Sequence, residues 1–204
     1  MSKDIYIYGA GGHAKVVAAT AKQLGYRVSG FWEDSRENIG KTFQGSLIIP
    51  FEKVPAGAFI FIAFGNNQLR QQKGEYLKKS FKIPTLVHPS AQVAEDVNLG
   101  EGCYIGACAN IDPSCTIGDF CIINNGANLS HDTIIESGCH ICGGVQIAGH
   151  CHIKQKTMLG IGSCVIENIS IGKNCMIGAG ATVVREMPDG IIAVGTPAKI
   201  IKKM

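Results

Sequence analysis

No stretch of the 204 residues approaches the 18 consecutive apolar positions of a membrane-spanning helix, so no membrane insertion is expected. No block of like charge is present either. Lys and Arg number 19 against 16 Asp and Glu, the net charge is +3, and only Lys199, Lys202 and Lys203 make a basic tail. That balance excludes the basic footprint of a nucleic-acid partner or of a membrane surface. A secretory leader is not expected, because Met1-Ser2-Lys3-Asp4 runs straight into a strand-like segment, and the chain reads as cytoplasmic. Paired CxxC motifs are missing. The nine cysteines are odd in number and include one isolated CxxC, Cys139-His140-Ile141-Cys142, so neither a disulfide framework nor a structural zinc site is expected.

A period of six dominates the second half. From Val87, every sixth residue to Val183 is Ile, Leu or Val, 17 positions without exception. Residues 87–187 hold 25 such side chains, so chance would produce the run with a probability of about 10⁻¹⁰. Four places after each aliphatic stands a mostly small residue, and six of the nine cysteines fall on that track. Glycine often follows the aliphatic, at Gly100, Gly106, Gly118, Gly160, Gly172 and Gly178, as expected of turns between short strands. A period of six matches neither the 3.6 of a helix nor the 2 of a strand. It fits a hexapeptide-repeat parallel β-helix, in which three hexads make one triangular coil and 17 hexads make five to six coils.

Residues 1–85 follow other rules. Ile5-Tyr6-Ile7-Tyr8 is a short apolar strand that ends in Gly9-Ala10-Gly11-Gly12-His13, followed by a helical stretch from Ala14 to Leu24. A strand from Arg27 to Trp32 ends in Glu33-Asp34, and a third, Ala58 to Phe64, leads into Gly65-Asn66-Asn67 and a polar helix from Gln68 to Lys79. Alternating strand, glycine turn and helix predict an α/β domain with a parallel sheet, one Rossmann-like half. The glycine turn at a helix start suits a phosphate. Gly9-x-Gly11-x-x-Ala14 also satisfies a loose dinucleotide fingerprint, with Asp34 near the ribose distance, but one mononucleotide half favours a nucleotide-linked ligand over NAD. The expected division is 1–85 for binding a nucleotide-linked ligand and 86–204 for an all-β solenoid with a C-terminal tail.

Y-G-A-G-G-H-A at the start, the acidic Glu33-Asp34, F-G-N-N, the hexapeptide array and the ending Val194-Gly195-Thr196-Pro197-Ala198-Lys199 together resemble one family. It is the bacterial family of sialic-acid O-acetyltransferases and nucleotide-linked 4-amino-sugar N-acetyltransferases. The resemblance covers nearly the whole chain. It implies a left-handed coil, a homotrimer, acetyl-CoA as co-substrate and no metal. By the same resemblance, Gly11, Gly12, His13, Glu33, Asp34 and Gly65 bind the nucleotide-sugar, and Glu33 stands where the family often has a second aspartate.

Acetyl transfer to an amine needs a base, a group that orients the base, and donors for the oxyanion. His131-Asp132 offers the first two. His131 sits two places after Leu129, on the outward side of its hexad, and Gly149, three hexads on, leaves room for the thioester and an N–H for its carbonyl. The resemblance adds Asn124 as support for His131, His140 as an acetyl-CoA contact, and Ile161 and Ala179 as lining of the pantetheine groove. His140 lies half a coil from His131 and could meet it only across a subunit interface. The expected activity is N-acetylation of the 4-amino group of a nucleotide-linked 4-amino-4,6-dideoxy sugar, with sugar O-acetylation of the sialic-acid type as the alternative. Remoter readings are a non-catalytic β-helix scaffold and a γ-carbonic-anhydrase-like enzyme holding zinc through His150 and His152.

Overall fold

The computed structural model describes residues 3–203. The chain opens with β1 (Lys3–Tyr8), α1 (Gly12–Gln23) and β2 (Tyr26–Trp32). A small antiparallel hairpin follows, β3 (Thr42–Phe43) with β4 (Ser46–Leu47), then β5 (Phe59–Ile62) and α2 (Asn67–Leu77). β2, β1 and β5 form one parallel sheet in that order. In α1 the buried residues Ala14, Val17, Ala18 and Ala21 fall at the i, i+3, i+4, i+7 spacing that puts one stripe on the sheet. Gly25, at φ +80°, turns the chain out of that helix. In α2 the Asn66 side chain caps the start by accepting from the Leu69 N–H at 2.9 Å.

Seventeen two-residue strands follow, from β6 (Leu86–Val87) to β22 (Thr182–Val183), and the second residue of each is the aliphatic of the period-six track. Each strand from β6 to β19 pairs in parallel with the third strand after it, as Asn110 and Ile111 do with Asn128 and Leu129. The result is a three-faced prism of about six turns that matches a left-handed β-helix. One face carries six strands, one five, and the third eight, the last extended by β23 (Ile191–Val194) and the antiparallel β24 (Lys199–Lys203). The aliphatics point inward, and from Ile105 to Val183 the track is at most 3% exposed.

The cysteine track has a physical reason. Cys103, Cys115, Cys121, Cys139 and Cys151 each donate their S–H to the carbonyl 15 residues on, at 3.1–3.2 Å. Thr133 and Thr157 donate to the same carbonyl position through their hydroxyls. A small side chain with one donor therefore fills the corner and satisfies the next coil. Burial raises the pKa of the Cys142 thiol to about 11.

The glycines after the aliphatics serve a different need from the one expected. None of the six has a positive φ; the left-handed residues recur elsewhere, at every sixth position from Gly102 to Gly180, and many of those are not glycine. Gly118 and Gly160 instead lie against the next coil, where an added Cβ would come within 2.6 Å of the backbone nitrogens of Ser137 and Ala179. Close stacking requires these glycines, not turn conformation.

The α/β region packs on the eight-stranded face. Leu86, Tyr104 and Ile122 share a core with Ile5, Val17 and Phe31, and Phe120 joins Tyr8, Trp32 and Ile62. Gly74 of α2 makes room for the Phe120 ring, which an added Cβ would strike. Arg70 of α2, 1% exposed, donates to the carbonyls of Phe120 (2.8 Å), Gly138 (2.9 Å), Cys139 (3.0 Å) and Phe64 (2.9 Å). Burial lowers its pKa to about 10, and it stays charged in a cage of carbonyl oxygens.

Candidate active site

The residues singled out in the sequence fall into three groups. The first occupies the corner after β13 (Asn128–Leu129) on the six-stranded face. There the His131 and Asp132 side chains are 57% and 45% exposed, and His131 Nδ1 lies 2.7 Å from Asp132 Oδ2. The imidazole lies over Gly149, one coil on. A Cβ added to Gly149 would stand 2.7 Å from His131 Cε1 and 2.9 Å from Nε2. The space expected for a thioester is thus the space the base itself needs. His150, which sequence reasoning treated only as a zinc candidate with His152, joins this corner with its Nε2 3.8 Å from Asp132 Oδ2. His152 does not; its Nε2 sits 2.7 Å from Glu136 Oε1.

The second group lies where the α/β region meets the prism. His140 begins β15 (His140–Ile141), and the Asn124 amide lies 3.4 Å from its Nε2. In this chain Asn124 therefore stands beside His140 and not beside His131. Gly65 lies at the same place, its backbone next to His140. His13 packs edge-on against Tyr104, ring centroids 5.3 Å apart. Burial, with the nearby Arg70 charge, lowers the pKa of His140 to about 4; burial, with His140 and Arg70, lowers that of His13 to about 3. Both imidazoles are neutral at pH 7, and His13 Nε2 and His140 Nδ1 are buried without a partner among the described residues. Ile161, 69% exposed, and the exposed Ala179 stack one coil apart along one edge of the prism. That edge is not the one that carries His131.

The third group lines a cleft of about 290 Å³ at the ends of the parallel strands, bounded by Tyr8, Trp32, Glu33, Asp34, Arg36, Phe51 and Lys73 among others. Tyr8 stacks on Trp32 with centroids 4.2 Å apart. The Tyr8 hydroxyl donates to Asp34, and Lys73 Nζ lies 3.1 Å from the same carboxylate. The Tyr8 bond first, with Lys73 second, lowers the pKa of Asp34. Glu33 accepts from the Asn38 amide. Gly11 and Gly12, at the start of α1, have open space where a Cβ would be, and no side chain caps the helix. An uncapped helix start of this kind suits an anion. Lys73, Tyr8 and Arg70 escaped sequence reasoning, since only the fold brings them to the site.

An α/β region docked on a hexapeptide β-helix with an outward His-Asp pair is the architecture of the hexapeptide-repeat sugar acyltransferases. Two family models match the chain, the PglD N-terminal domain at residues 4–77 and the bacterial transferase hexapeptide (six repeats) at residues 150–185. A variant of perosamine N-acetyltransferase from Caulobacter crescentus, solved in complex with CoA and GDP-perosamine, is similar at 32% identity and a TM-score of 0.92, over 98% of this chain and 97% of that one. The acetyltransferase domain of PglB from Neisseria gonorrhoeae, in complex with acetyl coenzyme A, is similar at 30% identity and a TM-score of 0.91, over 98% and 100% of the two chains. The chain belongs to this family of bacterial sugar acyltransferases. Among curated relatives, 2,3,4,5-tetrahydropyridine-2,6-dicarboxylate N-acetyltransferase from Clostridium perfringens is 40% identical over 47 residues, 23% of this chain and only 20% of that protein.

Proposed function

We propose that the chain is an acetyl-CoA-dependent N-acetyltransferase of a nucleotide-linked 4-amino-4,6-dideoxy sugar, with His131 as general base. The observation that carries the reading is the His131–Asp132 pair at 2.7 Å, held outward over Gly149. Asp132 orients the ring, leaving Nε2 to take a proton from the amine as its nitrogen attacks the thioester carbon. The carbonyl oxygen becomes an oxyanion, and the Gly149 N–H, which donates to no backbone acceptor among the described residues, is its candidate donor. Collapse of the intermediate expels the CoA thiolate.

The nucleotide is assigned to the cleft of Tyr8, Trp32, Glu33 and Asp34, with its phosphates at Gly11 and Gly12. The sugar then runs past Gly65 and His13. Acetyl-CoA is assigned to the edge of Ile161 and Ala179, near His140 and Asn124. These edges lie apart in one chain, so the reading needs a homotrimer in which one subunit brings His131 to the acetyl-CoA edge of its neighbour. Exposed Ile134 (42%), Ile161 (69%) and Met176 (41%) supply apolar surface for such packing. The experiment is a thiol-release assay with acetyl-CoA against a panel of amino-sugar nucleotides and hydroxyl sugars. Activity with the amino sugars, lowered roughly 10²–10⁴-fold in kcat by His131→Ala, is the expected result. Acetylation of hydroxyl acceptors alone, or an alanine variant that keeps more than about a tenth of kcat, overturns it.

A further inference from the structure

His150 stands at the corner of the coil that follows Asp132. The two are one coil apart and share the left-handed backbone of that corner, at φ 58° and 57°. Their side chains therefore stack along the outer edge of the prism, and the His131 ring leans across Gly149 to meet His150 edge to face, centroids 5.1 Å apart. One ligand atom each from His131, Asp132 and His150 lies within 4.8 Å of the other two. Two of the pairs, both through Asp132 Oδ2, are 2.7 Å and 3.8 Å. A tetrahedral ion with bonds of about 2.0–2.1 Å sets its ligands roughly 3.3 Å apart, between those two values. All three side chains are about half exposed, so an ion can enter and keep a water in the fourth position. Two imidazoles and a carboxylate suit zinc and its transition-metal neighbours better than calcium or magnesium.

We propose that His131, Asp132 and His150 form a site for a divalent transition-metal ion, zinc foremost, and that its occupation blocks the base. An imidazole ligates through a lone pair, so a metal on Nε2 occupies the lone pair that would take the substrate proton. A metal on Nδ1 leaves the remaining proton on Nε2, which then has no lone pair to offer. Either mode disables His131. The inhibitory half rests on the proposed role of His131; the binding half does not.

The test uses chelator-treated full-length protein titrated with Zn²⁺ alone by calorimetry, alongside the acetyl-transfer assay. Wild type should bind one zinc per chain and lose activity as it fills. His150→Ala should keep metal-free turnover within about twofold, and should weaken both zinc binding and inhibition at least tenfold, since loss of even an outer partner costs about 10–100-fold in affinity. Cys108→Ser, which removes an exposed thiol, should change neither. Equal zinc affinity in wild type and His150→Ala, or loss of binding in Cys108→Ser, overturns the site. If zinc binds as expected and the loaded protein still turns over, the site stands while the inhibition and the assignment of His131 as base fall together.

Discussion

Gly149→Ala separates catalysis from stability in one atom. The added Cβ would stand 2.7, 2.9 and 3.2 Å from Cε1, Nε2 and Nδ1 of His131, its three nearest neighbours. Ordinary contact needs at least about 3.4 Å, so the ring must retreat by roughly 0.7 Å or more, away from the Asp132 carboxylate or from the face where substrate arrives. A displacement of about 1 Å in a positioned catalytic group costs up to about 10²-fold, so kcat should fall between tenfold and a hundredfold. Stability should not fall with it. Gly149 is not in the left-handed region, and replacing a glycine in a compatible conformation stabilises by about 0.4–1 kcal/mol through the unfolded chain. The assay is steady-state acetyl transfer beside thermal unfolding of the same preparation. In a His131→Ala background Gly149→Ala should change nothing further, because the two share one mechanism. A variant that keeps more than half of wild-type kcat, or loses activity only in step with a falling melting temperature, refutes the reasoning.

Two further expectations concern the junction. Arg70→Met should destabilise the protein by about 3–5 kcal/mol, since it leaves the buried carbonyls of Phe64, Phe120 and Gly138 without their donor; urea unfolding within about 1 kcal/mol of wild type would contradict the clamp. His13 and His140 have pKa values of about 3 and about 4 in the fold against 6.5 for free histidine. The unfolded chain therefore binds protons first as pH drops, and the stability these neutral rings contribute is present above pH 6.5 and lost from there down to about pH 4 for His140 and about pH 3 for His13. Melting temperature should fall across that window, and His140→Gln should flatten the slope; an unchanged slope counts against the buried, neutral histidine.

The solenoid was legible because its constraint is local and repeated. Each aliphatic from Val87 to Val183 must enter the prism, and a period of six needs no knowledge of distant contacts. His131 and Asp132 were legible for the same reason, since their place in the hexad put them outside. The function of Gly100 through Gly178 was misread because a glycine in a sequence does not distinguish a positive φ from a close neighbour in the next coil. Asn124 was assigned to His131 by resemblance; within one chain its amide instead lies 3.4 Å from His140 Nε2, a side-chain contact that the sequence does not show. Arg70, Tyr8 and Lys73 were illegible, and His150 was read only as a zinc candidate with His152. Arg70 reads as one charge on a polar helix until the coil corners at Phe120 and Gly138 close over it, and His150 matters only once the winding of the coil stacks it on Asp132.

The arginine clamp also orders events in time. Phe120 and Gly138 belong to successive coils, so the oxygens that hold Arg70 come into register only after the second coil has stacked on the first. During synthesis the α/β region leaves the ribosome first, yet the seat of its helix α2 does not exist until residue 139 has followed. Until then the guanidinium stays hydrated, and the apolar patch that later meets Tyr104 and Ile122 is uncovered. The first domain made is thus fastened only after the first coils of the second have stacked, and the nascent chain is most exposed to aggregation in the interval between.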